Sequence, residues 1–193
     1  MVKICFATHN RNKLSEIQKL APAQIQLVSL SDLELHEEIP ETGSTLEENS
    51  AIKAQYVFDK LGMPCFADDT GLEVEALNGA PGVYSARYAG EQKNDRDNIA
   101  LLLKNLDGND NRKAAFKTVI TYINSDGEKQ QFTGEAKGVI ITELKGNCGF
   151  GYDPIFVPEN QSLTFAEMSA QEKNAISHRG RAFDKFISYL SSL

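Results

Sequence analysis

The chain has 193 residues, a net charge of −7, 41% apolar and 24% charged residues. This is the balance of a globular protein, and the acidic charge without a long basic run excludes one that grips nucleic acid through its phosphates. No apolar run nears the roughly 20 residues of a membrane span, and the scattered Cys5, Cys65 and Cys148 fit neither a disulfide framework nor a zinc site.

The length suits one domain, residues 1–193, burying roughly 70% of the unfolded chain's surface. Met1-Val2-Lys3-Ile4-Cys5-Phe6-Ala7 is too short for a signal peptide and reads as a strand, so a cytoplasmic protein is expected. A helix follows to about Leu20, with Leu14, Ile17 and Leu20 as its apolar stripe, and Ile25 to Leu30 reads as a second strand. Ser44-Thr45-Leu46-Glu47 has a capping-box pattern and opens a helix to Leu61, stopped by Gly62 and Pro64. Two short strands are expected next, Cys65 to Asp68 and about Leu72 to Ala76, then a turn at Gly79-Ala80-Pro81-Gly82.

Asp97 to Leu106 reads as a helix. Ala114 to Asn124 and Gln130 to Thr142 read as a hairpin buried on both faces, turning at Ser125-Asp126-Gly127-Glu128. A final helical segment opens at Ser169, with Ser169 and Glu172 as a second capping box. Cys5 and Cys65 sit in strand-like runs and read as small buried hydrophobes. The mixed order implies an α/β or α+β sheet protein.

Five segments bear chemistry. Thr8-His9-Asn10-Arg11-Asn12-Lys13 lies between a strand and a helix, where free N–H groups and the helix dipole suit phosphate oxygens. It lacks the glycines of a Walker loop, and a plain turn is the alternative. Asp68-Asp69 closes an apolar strand. Adjacent carboxylates there need water or a cation, and alternation along a strand points them to opposite faces, one to ligate and one to orient; a turn-capping pair in Asp68-Asp69-Thr70-Gly71 is the alternative. Glu41 and Lys53 are candidates for a second metal ligand and a second phosphate contact. Gly149-Phe150-Gly151-Tyr152-Asp153-Pro154 is a shaped loop able to present a ring for stacking and an acid for recognition. Lys173 and Ser177-His178-Arg179-Gly180 supply donors suited to a carbonyl on a purine ring. No Ser-His-Asp or Cys-His system is present in the pattern.

Taken in order, Thr8–Lys13, Glu41-Thr42-Gly43, Ala67–Leu72, Gly79–Tyr88, Gly149–Phe156 and Ser177–Gly180 resemble the motifs of the inosine triphosphate pyrophosphatase family, the bacterial-type XTP/dITP diphosphatases. The likeness spans nearly the whole chain. It implies an elongated central mixed sheet flanked by helices, two lobes with a cleft between them, and a homodimer. It also implies Mg²⁺-dependent hydrolysis of ITP, dITP or XTP to the monophosphate and pyrophosphate. Thr8, His9, Asn10, Arg11, Asn12, Lys13 and Lys53 would hold phosphates. Glu41 and Asp69 would bind Mg²⁺, with Glu37 and Glu38 as alternatives to Glu41. Asp69, with Asp68 and Lys13 beside it, would activate water. Thr70, Phe150, Gly151, Tyr152, Asp153, Lys173, His178 and Arg179 would contact the rest of the nucleotide. His9 stands where the family often has Gly or Ser, and Pro40 where it often has a second acid. A pyrophosphatase for modified pyrimidine nucleotides and a nucleotide sensor without turnover are the competing readings.

Overall fold

The computed structural model describes residues 2–192, so Met1 and Leu193 lie outside the described residues. Among those residues the fold is mixed α/β. In chain order it runs β1 (Val2–Phe6), α1 (Arg11–Leu20), β2 (Ile25–Ser29), α2 (Leu46–Leu61), β3 (Cys65–Val74), β4 (Pro81–Gly82) and α3 (Asp95–Asn105). It continues with β5 (Lys113–Ile123), β6 (Lys129–Ile140), β7 (Phe156–Pro158), α4 (Ala170–Ile176) and α5 (His178–Leu190), and short 3₁₀ turns join several elements. Hydrogen-bonded strands follow the order β2-β1-β3-β5-β6-β7, with β4 paired to β3. β1 is parallel to both β2 and β3, whereas β4 and β7 run antiparallel to their partners. No described helix is long and apolar enough to cross a membrane.

The chain divides into two compact units. The first comprises Met1–Asp69, Thr118–Gly134 and Gly180–Leu193, and the second Thr70–Lys117 and Glu135–Arg179. In the first unit, the register of β1 on β3 sets Phe6 beside Phe66, and their rings stack at 4.5 Å and 9°. Phe183 and Phe186 of α5 close over them, with Ile4, Ile17 and Ile120 filling the remainder. Each such side chain, fully buried, contributes on the order of 1.5–3 kcal/mol. Cys5 and Cys65 lie buried with Ala54 and Val57, as small hydrophobes should. The second unit packs Leu72, Val74, Leu102, Phe116, Phe156 and Phe165 into a core of its own.

Four expectations are corrected. The two short strands around Asp68-Asp69-Thr70-Gly71 are one ten-residue strand, β3. The sequence has good turn chemistry, but the carboxylates are paired with lysines and so tolerate a buried strand. Gly71 lies so close to Gly82 of β4 that a Cβ would meet its carbonyl oxygen at 2.6 Å. The cap of α2 is shifted by one residue: Thr45 accepts from the Glu48 backbone N–H, and Glu48 accepts from Ser44. β5 is buried on both faces through its second half, but β6 alternates buried and exposed. The final helical segment breaks at Ser177, whose extended backbone (φ −72°, ψ 156°) separates α4 from α5. Its Ser169–Glu172 capping box is present as expected.

Candidate active site

In the first unit, β1 delivers the chain into Thr8–Asn10, and α1 begins at Arg11. Asn10 is the N-cap: its Oδ1 accepts from the N–H groups of Asn12 (2.9 Å) and Lys13 (3.1 Å). Two of the helix-start donors expected to be free are thus satisfied within the protein, because asparagine is among the strongest capping residues. The Thr8 hydroxyl accepts from Asn10 N–H at 3.1 Å and keeps its own proton to donate. Arg11 and Asn12 are exposed. His9 turns aside: its Nε2–H donates to the Glu37 carbonyl at 2.9 Å.

Lys13 reaches back to β3, where its ammonium donates to Asp68 Oδ1 at 3.0 Å. Lys53, near the middle of α2, donates to Asp69 Oδ1 at 2.6 Å and to Glu41 Oε1 at 2.8 Å. Neighbouring aspartates therefore take different lysines, as alternation along a strand requires. Asp68 and Asp69 retain only 2% and 7% exposure, so an unpaired charge at either would be costly. Burial pushes the Asp69 carboxyl above the usual carboxylate range against the pull of Lys53 and Lys13, which gives it a greater appetite for a proton. Burial alone would favour a neutral Lys53, but Asp69, Glu41 and Asp68 outweigh it and raise its pKa, so the ammonium stays charged. Glu37, the alternative to Glu41, has its carboxylate engaged with Tyr56 and Lys60 of α2, which hold it below the usual range.

In the second unit, β7 and the turn before it set the aromatic loop. Gly149 and Gly151 have positive φ (75° and 60°), and a Cβ at Gly149 would run into the Asp153 carboxylate. Asp153, 2% exposed, accepts from Phe150 N–H at 2.9 Å and from the Lys173 ammonium at 2.6 Å. Lys173 also lies 5.0 Å from the centre of the Phe150 ring, and the Arg179 guanidinium 5.5 Å from it. Arg179 donates to the Thr70 hydroxyl at 3.1 Å. His178 is buried with its ring stacked on Phe116 at 4.5 Å. Tyr152 lies in the core, its hydroxyl donating to the Ser85 carbonyl at 2.8 Å, and burial raises its pKa.

The sequence-predicted residues thus gather in two groups. Lys13, Glu41, Lys53, Asp68 and Asp69 meet in the first unit. Thr70, Phe150, Asp153, Lys173 and Arg179 are linked contact by contact in the second. Outside these groups, Thr8, Asn10, Arg11 and Asn12 stay at the start of α1, Gly151 bonds to Asp95, His178 stacks on Phe116, and His9 and Tyr152 bond to backbone carbonyls. Among the described residues, no group of three or more histidine, cysteine or acidic side chains gathers to enclose a metal ion.

This chain matches the model of the Ham1 family over residues 4–189. It belongs to the Ham1 family. The dITP/XTP pyrophosphatase of Flavobacterium johnsoniae is 55% identical over 99% of both chains, and that of Porphyromonas gingivalis 48% identical over 98% of both. Among solved structures, the Ham1 protein of Coxiella burnetii superposes with a TM-score of 0.91 at 39% identity over the whole of both chains. The Ham1 protein of Staphylococcus aureus superposes at 0.89, with 39% identity over 98% of each.

Two supports of the second group escaped the sequence reading. Asp95, at the start of α3, accepts from Gly151 N–H at 2.7 Å and so anchors the aromatic loop. Ser85 receives Tyr152 at its carbonyl, while its hydroxyl accepts from Leu72 N–H at 2.8 Å and fixes β3. Ser85 lies inside one of the quoted motifs and could have been suspected. Asp95 carries no local signal, because its partner is 56 residues away.

Proposed function

We propose that this chain hydrolyses non-standard purine nucleoside triphosphates such as ITP, dITP and XTP to the monophosphate and pyrophosphate, removing them from the nucleotide pool. The observation that carries the chemistry is the acid–lysine cluster in which buried Asp68, Asp69 and Lys53 meet the partly exposed Lys13 and Glu41. Family membership supports the substrate class, since the curated relatives are named as dITP/XTP pyrophosphatases.

Mg²⁺ is the proposed cofactor, held by Glu41 and Asp69. The donors fit it: Glu41 and Asp69 already converge on one positive charge, the Lys53 ammonium, at 2.8 and 2.6 Å. Two carboxylates, with waters and substrate phosphates completing the shell, are what this hard ion prefers over a closed protein cage. When bound, it neutralises phosphate oxygens and favours departure of pyrophosphate.

The protein's own groups then have separable roles. The ammonium groups of Lys13 and Lys53 and the hydroxyl of Thr8 donate to phosphate oxygens, lowering the charge that repels an incoming water. Asp69 accepts the proton as the water oxygen bonds to the α-phosphorus and the bond to the leaving pyrophosphate breaks. Asp68 keeps Lys13 in place. Phe150 stacks on the base, with Lys173 and Arg179 beside its ring. Donors from His178 and Arg179 satisfy the 6-oxo group of hypoxanthine or xanthine. Adenine's 6-amino group leaves such donors unpaired, a mismatch that can reject a substrate by about 10⁴-fold. A single catalytic domain, a homodimer and a cytoplasmic setting belong to the same reading.

The test is to incubate the protein with ITP, XTP, dGTP and ATP, with Mg²⁺ or EDTA, and separate the products by anion exchange. IMP or XMP with pyrophosphate, formed only with Mg²⁺, is expected. Orthophosphate and a diphosphate would contradict cleavage between the α- and β-phosphates. Tight ITP binding without any product would make the chain a sensor.

A further inference from the structure

Glu41 reaches Lys53 from an irregular stretch. Residues 35–45 form neither helix nor strand, and most of them are exposed. A carboxylate carried on such a stretch is useful only if something holds the backbone. The ends are secured: Leu35 N–H donates to the Leu30 carbonyl at 2.9 Å, and Gly43 N–H donates to Asn49 Oδ1 at 2.8 Å.

Between those ends, Glu37 is gripped at both its side chain and its backbone. Its carboxylate accepts from the Tyr56 hydroxyl and pairs with Lys60 at 3.0 Å, and its carbonyl accepts from His9 Nε2–H at 2.9 Å. Lys53, Tyr56 and Lys60 are spaced three and four residues apart on α2, so one helical face gathers the stretch at Glu37 and again at Glu41. His9 adds a bond from the phosphate loop itself. The Lys60 pair, with both side chains about half exposed (46% and 56%), contributes little on its own. The phenol and imidazole bonds are the ones that fix position.

We propose that Glu37 is a positioning residue, a staple that ties the Glu41 stretch to α2 and to the phosphate loop so that Glu41 and Asp69 face one cation together. This rests on the proposed function for its consequence, but not for its geometry.

Two readouts test it. The first is hydrogen exchange by mass spectrometry on the metal-free protein. Tyr56→Phe, Glu37→Gln and His9→Ala should each speed exchange in peptides covering residues 36–43 several-fold, with α2 and the melting temperature little changed. The second is the Mg²⁺ dependence of ITP hydrolysis. In Tyr56→Phe the half-saturating Mg²⁺ should rise about three- to tenfold, the scale of one lost hydrogen bond, with the rate at saturating Mg²⁺ much less affected. His9→Gln, which offers an N–H at similar reach, should restore what His9→Ala loses. Unchanged exchange in all three variants overturns the staple, and so does faster exchange with an unchanged Mg²⁺ requirement. If the unmodified protein turns over no ITP, the proposed function fails, and the exchange arm still decides whether Glu37 holds the stretch.

Discussion

The two groups of clustered charge differ in sign. In the first unit, three carboxylates (Glu41, Asp68, Asp69) stand against two ammonium groups (Lys13, Lys53). In the second, two cations (Lys173, Arg179) lie over the face of Phe150, and one carboxylate, Asp153, pairs with Lys173. An excess of acid suits a cation that arrives with its phosphates. An excess of donors around an aromatic ring suits a flat base rich in carbonyl oxygen. The contrast teaches that one chain can gather ionic groups twice with opposite residual charge, which is the basis of the proposed division between phosphates and base.

Breaking the acidic group should have the largest effect. Asp69→Asn keeps the shape of the side chain but cannot take a proton, so kcat for ITP should fall by about 10²–10⁴-fold, measured by pyrophosphate release. Lys53→Met leaves Asp69 and Glu41 facing each other without their shared ammonium. Removing one partner of a buried pair should cost about 3 kcal/mol in urea unfolding, and Mg²⁺ should restore part of it. On the other side of the comparison, Phe150→Ala should lower kcat/KM for ITP by about 5- to 150-fold, the range for one lost base stack. The mildest contrast concerns the thiols. Burial pushes Cys5 and Cys65, both in the first unit, up to about 12, so they stay protonated at pH 8, whereas Cys148 in the second unit is exposed. A thiol reagent should label Cys148 alone in the native protein and all three cysteines after denaturation.

What could be read from the sequence follows physical range. Ile17 in α1, Ala54 in α2 and Phe183 in α5 declare their burial by helical spacing, and the Ser169–Glu172 box is a bond between near neighbours. Asp68-Asp69 misled in one respect: locally it reads as a turn, and only the distant Lys13 and Lys53 make a buried strand tolerable there. Ser177 misled in another, since nothing in its immediate surroundings marks the break between α4 and α5. The membership of the two site groups was legible because the motifs contain them. The direction of His9 and the anchoring by Asp95 were not, because each depends on a partner far along the chain.

The most direct test of the division of labour compares kcat/KM for ITP and for ATP in the unmodified protein, in Lys13→Met and in Arg179→Met. Both nucleotides present the same triphosphate and differ in the base. Lys13→Met should lower both values by a similar factor and leave the ITP-to-ATP ratio intact, whereas Arg179→Met should collapse the ratio toward one. A ratio that falls in Lys13→Met, or survives in Arg179→Met, would contradict the assignment of phosphates to the acidic group and base to the cationic one.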